Sequence, residues 1–259
     1  MPSSTPYAAA LAALHDPGAL RVWSMIATAF GDLALARGDA IPGPVLSALM
    51  AQMDIRPEAT RVALHRLRGD DWITSTKSGR TSLHALSAKG RRESNAAALR
   101  IYHRPETVPE AWQAVLLEDS GAETRADMAA RGFAPLAPRL YLGAATAEPP
   151  AEALRLNPGA APDWLGAQFE PKDLAADYAA LHARLSAAAA LELDAGRLTP
   201  LQIATLRCLV VHGWRRLVLR HPELPRALYS QTWQGHACRS QALALLDRLP
   251  KPSLDALSE

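Results

Sequence analysis

The chain has 259 residues, of which 49% are hydrophobic, and 28 Lys/Arg stand against 26 Asp/Glu. That is enough apolar content for one large cored domain or two to three small ones, and the near-balance of charge excludes a chain that is basic or acidic throughout. No apolar run is long enough to cross a bilayer, the N-terminus lacks a secretory layout, and Cys208 and Cys238 make no disulfide framework, so a cytoplasmic protein is expected.

The first few residues read as a loosely packed arm. Residues 19–36 carry apolar groups at Val22, Ile26, Ala29 and Leu33, which predicts a helix stopped near Gly38. Ile41-Pro42-Gly43-Pro44 reads as a turn into a second helix over 44–53. A third helix starts at Pro57, a residue suited to the first helical position, and ends near Gly69. Short strands at Trp72–Thr76 and Thr81–Leu86 flank a Ser78-Gly79 turn, and Ser87 suits the N-cap of a helix over 88–102.

His103–Thr107 reads as a linker. Beyond it a strand (111–117), a helix (123–132) and an extended stretch (133–143) predict a small α/β sandwich. Residues 144–171 are rich in Ala, Pro and Gly, with one weak strand at Glu152–Leu156. Helices are expected at 172–193, from Thr199-Pro200 to about Arg220, and near 235–247, with a proline-marked turn, HPELP, at 221–225.

Charge is unevenly placed. From Arg56 to Arg104 eleven Lys/Arg face four Asp/Glu, while both flanking stretches are acidic on balance. Such a concentrated basic segment is the footprint of a DNA-binding module. Within it Thr60, Ala63, Leu64 and Leu67 fall on one helical stripe for burial, leaving Arg61, Val62, His65, Arg66 and Arg68 outside. A helix with one cationic face, followed by a hairpin tipped with Lys77 and Arg80, is the pattern of a winged helix-turn-helix. Arg61 and His65 are candidates for reaching base edges. Arg56, Arg66 and Arg68 are candidates for phosphates, and Lys77 and Arg80 for the neighbouring backbone or minor groove.

The stretch WSMIATAFGDLALARGDAIPGPVLSALMAQMDIRPEATRVALHRLRGDDWI resembles the N-terminal part of the PaaX-type repressors of phenylacetate degradation. AWQAVLLEDSGAETRADMAARGFAPLAPRLYLG is similar to that family's central domain, which resembles the Cas2 ferredoxin-like fold. VHGWRRLVLRHPELPRALYSQTWQGHA is similar to its C-terminal signature: paired arginines, a proline-bracketed turn and a Trp before Gly. The resemblance implies an α+β chain with a winged-helix domain (1–103), a central ferredoxin-like domain (108–171) and a C-terminal helical effector and dimerisation domain (172–259). It also implies a homodimeric regulator that binds a palindromic operator and is released by an aryl-acyl-CoA such as phenylacetyl-CoA. The chain departs from the family at Val62, where a small polar residue is usual, at Asp71, where glycine is usual, and at His65, where serine is usual.

An acyl-CoA needs cations beside aromatic or apolar walls. Arg215 and Arg216 with Trp214 and His212 meet that description, and Trp233 and His236 beyond the proline turn can join them. His212, His221, His236 and Cys238 match no zinc-site spacing, and no Gly-rich phosphate loop is present, so neither a metal nor a cofactor is expected. Two other readings compete with a non-enzymatic regulator. One is a metal-dependent nuclease using Glu118 and Asp119 at the end of the first central strand; the other is an adaptor whose winged helix contacts protein.

Overall fold

The computed structural model describes residues 5–16, 18, 21–104 and 110–258. The N-terminal stretch is more ordered than an arm. Met1–Ser4 lie outside the described residues, but Thr5 accepts from the Ala8 amide and caps α1 (Pro6–Leu14), which buries Ala10 and Leu14. The sequence PYAAALAAL hides this helix because it is apolar nearly all round, so no polar face marks the period.

Three helices and a hairpin follow. α2 (Val22–Leu33) is shorter than its predicted 19–36, and α3 (Gly43–Ala51) and α4 (Pro57–Gly69) stand where their signals placed them. Ile41-Pro42 is not merely a turn: it forms β1, a short edge strand paired with His84 and Leu83. β2 (Ile73–Ser78) and β3 (Thr81–Leu86) pair antiparallel, giving a sheet in the order β1-β3-β2. Ser78 pairs with Thr81, so the hairpin loop is the two residues Gly79-Arg80. Only Gly79 has a positive φ, 61°, which is the type II′ arrangement whose twist suits a tight hairpin. Asp71, at φ 53°, occupies the left-handed region between α4 and β2 that glycine fills without strain.

Ser87 accepts from the Gly90 amide at 3.0 Å and caps α5 (Ala88–Ile101). Gly90 lets α5 press onto the strand entrance: a Cβ there would lie 2.1 Å from the Trp72 carbonyl oxygen. Gly90→Ala is therefore expected to destabilise by about 2 kcal/mol or more, since overpacking outweighs the roughly 1 kcal/mol gained in helix propensity. Gly31→Ala in α2 is the control, because a Cβ there meets nothing within 4 Å. Urea unfolding should place the two variants on opposite sides of wild type.

His103 and Arg104 are fastened rather than free. His103 Nδ1 lies 2.8 Å from Glu223, and Arg104 makes a two-pronged pair with Asp247. The rest of the expected linker, Pro105–Thr107, is outside the described residues. β4 (Trp112–Leu116), α6 (Ala122–Ala130), β5 (Ala134–Ala137), β6 (Leu140–Ala144) and β7 (Leu154–Leu156) build a second antiparallel sheet in the order β5-β6-β4-β7. The extended stretch 133–143 is thus a hairpin, and α7 (Asp163–Phe169) is an additional helix where only irregular chain was expected.

α8 (Lys172–Ala189), α9 (Pro200–Val218) and α10 (Gly235–Arg248) complete the chain. Thr199 and Gln202 satisfy each other's orphan amides in a capping box at the start of α9. α9 then runs through the middle of the molecule. One continuous core joins Met25, Phe30 and Leu46 of the N-terminal helices to Tyr178, Leu206 and Trp214 of the C-terminal ones.

Polar bonds cross the same junction. Arg207 donates from Nε and Nη2 to both oxygens of Asp32, at 2.9 and 2.8 Å, and from Nη1 to the Leu246 and Leu249 carbonyls. The Tyr102 hydroxyl donates to Asp32 at 2.7 Å. Arg100 donates to the Val218 and His221 carbonyls and so closes the C-terminal end of α9.

Candidate nucleic-acid interface and effector residues

α4 buries Thr60, Ala63 and Leu67 as the stripe requires, with Leu64 half-buried beside them. Its other face is open. The Arg61 side chain is 73% exposed and pairs with Glu58, 3.4 Å away and equally exposed, a pair too wet to hold it. Val62 is 70% exposed, an unusual position for a large apolar side chain. His65 and Arg68 are exposed as well.

Arg66 is differently placed. Its guanidinium lies over the Trp23 ring, 5.2 Å from the centroid, with Asp70 at 3.7 Å. Trp23 was not singled out from sequence, and an arginine held on an aromatic face is steered without being neutralised. Lys77 and Arg80 are exposed at the hairpin tip. Among the described residues, the side chains of Arg56, Lys77 and Arg80 have no hydrogen-bond or ion-pair partner. Beneath the hairpin His84 is buried against Ser75 Oγ at 2.8 Å, and its pKa is lowered by burial and then by Arg68.

Not every cation of the basic segment faces outward. Arg100 is spent on the end of α9, and Arg104 on Asp247. The open positive charge is therefore narrower than the sequence count, and it is centred on α4 and the hairpin.

The six candidate effector residues do not share one cavity. His212, Arg215 and Arg216 turn toward the N-terminal elements. His212 Nδ1 is 3.1 Å from Thr28 Oγ1, Arg215 donates to the Ser24 carbonyl and Thr28 Oγ1, and Arg216 pairs with Asp16. Burial, followed by the Arg215 and Arg216 charges, pushes the His212 pKa down to about 4. Trp214 is buried and donates to the Ile101 carbonyl at 2.9 Å.

Trp233 and His236 lie on the other side with Trp214, around a small cavity lined also by Tyr178, His221 and Tyr229. Trp233 stacks on Tyr229 with ring centroids 5.3 Å apart and planes within 6°. The HPELP turn anchors this group, since Glu223 pairs with Arg239 at 2.5 Å and with His103, and Leu224 is buried. Trp233, His236, Tyr229 and Arg226 border a cleft of about 910 Å³ that reaches to α7. Among the described residues the buried His236 Nε2 has no hydrogen-bond partner.

Glu118 and Asp119 sit exposed beyond β4, and the Asp119 carboxylate accepts from the Ser120 amide at 2.6 Å. Among the described residues no group of three or more His, Cys, Asp or Glu side chains is placed to hold a metal ion. Among the same residues no helix is long and apolar enough to cross a membrane.

Comparison with known proteins bears on both ends of the molecule. Residues 21–90, which hold α2 to β3 and the start of α5, match the PaaX-like protein family, and residues 169–258 match the PaaX-like protein C-terminal domain. The chain belongs to the PaaX-like family. It is 28% identical over 263 aligned residues to the transcriptional repressor PaaX of Escherichia coli (strain K12), covering 91% of this chain and 83% of that one. The first matched stretch contains the open face of α4 and the hairpin. The second contains the Tyr178–Trp233 aromatic group and the whole of α9, so the motif with paired arginines belongs to the junction between the two stretches.

Proposed function

We propose that this PaaX-like chain is a DNA-binding transcriptional repressor, with α2 to α5 and the β2–β3 hairpin acting as a winged helix-turn-helix. The observation that carries this reading is the open cationic face of α4 set beside unpartnered Lys77 and Arg80. In this reading Arg61, Val62 and His65 face base edges, and Arg56, Arg66 and Arg68 meet phosphates. Lys77 and Arg80 follow the backbone next to the entered groove. No enzymatic role is proposed.

The finer parts of the reading rest on separate supports. The strand order β5-β6-β4-β7 fits a ferredoxin-like central domain at 108–171, although residues 145–153 are turns and irregular chain where that fold carries its second helix. Residues 1–103 then form the DNA-reading domain and 172–259 the effector and dimerisation domain, sharing one core. One reading helix per chain suits a homodimer on a palindromic operator. We place an aryl-acyl-CoA effector, such as phenylacetyl-CoA, in the cleft bordered by Trp233, His236 and Arg226. Its volume lies within the range of ligand sites, and it offers stacked rings and a cation. The regulated genes would then be those of a phenylacetate-type catabolic operon.

Duplex binding measured across salt concentrations tests the core of the proposal. Affinity should fall steeply as salt rises. The Lys77→Ala, Arg80→Ala double variant should bind all sequences more weakly and flatten the log–log slope by about 2 if each cation meets one phosphate. A slope identical to wild type would remove the hairpin from the interface.

A further inference from the structure

Between α2, α5 and α9 lies a second cavity, of about 210 Å³, remote in chemistry from the aromatic cleft. Its apolar walls are Ala27 and Gly31 of α2, Ala97 and Ile101 of α5, Val211 of α9 and Leu219 just beyond it, and Thr28, Ser94 and Tyr102 add polar groups. The small side chains of α2 and α5 create the space: they hold the helices together without filling the gap between them.

Arg215 also lines this cavity. Its Nη1 is committed to the Ser24 carbonyl and Thr28 Oγ1, at 3.1 and 3.0 Å. Its Nε and Nη2 make no hydrogen bond among the described residues, and no carboxylate there lies within ion-pairing reach. Neither nitrogen belongs to the buried polar atoms that are sealed off without a partner. A guanidinium drawn into an apolar wall without a counter-ion is costly, and burial lowers its pKa accordingly. The free edge is the one that takes a carboxylate through two parallel bonds. Glu93, the carboxylate on the cavity lining, is exposed and accepts from Trp72 Nε1 at 3.1 Å.

Size narrows the occupant. A dry cavity of about 150 Å³ holds benzene, so this one has room for a ring or short chain plus a carboxylate, and not for a nucleotide-bearing thioester. We propose that this cavity binds a small carboxylate with an apolar body of about six or seven carbons. Its anion pairs with the Nε–Nη2 edge of Arg215 and its body lies between α2, α5 and α9. This site is separate from the acyl-CoA cleft and does not depend on DNA binding. Its α2 and α9 walls come from the two family-matched stretches and its α5 wall from the segment that follows the first, so an occupant would brace α2 and α5 against α9.

Isothermal titration of the full chain, without DNA, tests this with benzoate and hexanoate against benzamide and hexanamide. The carboxylates should bind at least about tenfold more tightly than their amides, because only they form the charge-assisted pair. Arg215→Met should erase that preference, and Arg215→Lys, which keeps the charge but loses the fork, should weaken it if the methionine variant does not fold. Gly31→Leu fills the cavity from a position where an added Cβ meets nothing, and should abolish binding of both carboxylates. Failure of either carboxylate to bind wild type, equal binding of acid and amide, or binding that survives Gly31→Leu would each overturn the proposal. The DNA-binding reading would stand in any of those cases.

Discussion

Replacing Asp32 with alanine is expected to remove about 3–5 kcal/mol of stability, the cost of stranding a buried charge. The Arg207 and Asp32 side chains are only 8% and 1% exposed, and both carboxylate oxygens are engaged by the guanidinium. The Arg207 pKa is raised: burial alone would lower it, but the hydrogen bonds and charge of Asp32 overcome that. With the carboxylate gone, Arg207 keeps only the Leu246 and Leu249 carbonyls, and the Tyr102 hydroxyl loses its acceptor. Asp32→Asn keeps the shape and should still lose most of that stability, because an amide cannot neutralise the guanidinium. Removing both charges with Asp32→Leu and Arg207→Met should recover much of the loss, since a well-packed apolar pair avoids the desolvation penalty. Urea unfolding of the three variants measures this, provided the slope stays constant. If Asp32→Ala costs under 1 kcal/mol, water reaches the pair and it does not tie α2 to α9.

The elements with contrast along the chain were legible from sequence. α4 sets Thr60, Ala63 and Leu67 against a row of arginines, and Pro57 and Gly69 mark its ends. Thr199-Pro200 announces α9 by its capping chemistry. α1 lacks such contrast, so its stretch reads as part of an N-terminal arm. β1 is two residues long and exists only through its pairing with β3, a non-local fact no local pattern carries. Position 71 shows a subtler signal. Its left-handed backbone suits the glycine that the resemblance leads one to expect there, and aspartate is among the few other residues that tolerate it.

The site residues divide along the same line. The open face of α4 follows from its buried stripe, so the exposure of Arg61, Val62 and His65 was legible. The effector set was less so, because cations and aromatics close in sequence need not share a face. At roughly 100° per residue, His212, Arg215 and Arg216 fall on one side of α9, while Trp214 is turned roughly 200° from His212. That periodicity was available from sequence, but it does not say which side meets α2. Nor does a count of charges distinguish Arg100, turned inward to close α9, from Arg80, open at the hairpin tip.

Arg61→Ala should lower the preference for a specific site over random duplex by about 1–3 kcal/mol, roughly 5- to 150-fold. Arginine can engage O6 and N7 of one guanine together, and the 73% exposure of Arg61 leaves it free to exchange Glu58 for a base. The same exposure predicts that folding stability moves by no more than about 0.5 kcal/mol, so a loss of binding cannot be ascribed to unfolding. Val62 adjoins it with an apolar surface open to water, which suits a thymine methyl group. Val62→Ser should therefore change which base is preferred at one position while leaving affinity for random DNA intact. Fluorescence anisotropy on a duplex selected by the wild-type protein from a random pool, beside a scrambled duplex, separates the effects. If Arg61→Ala weakens both duplexes equally, Arg61 touches phosphate alone, and sequence reading must move along α4 to His65. In that case His65, which stands where the resemblance to PaaX-type repressors would place a serine, is the position at which this chain sets its own choice of operator.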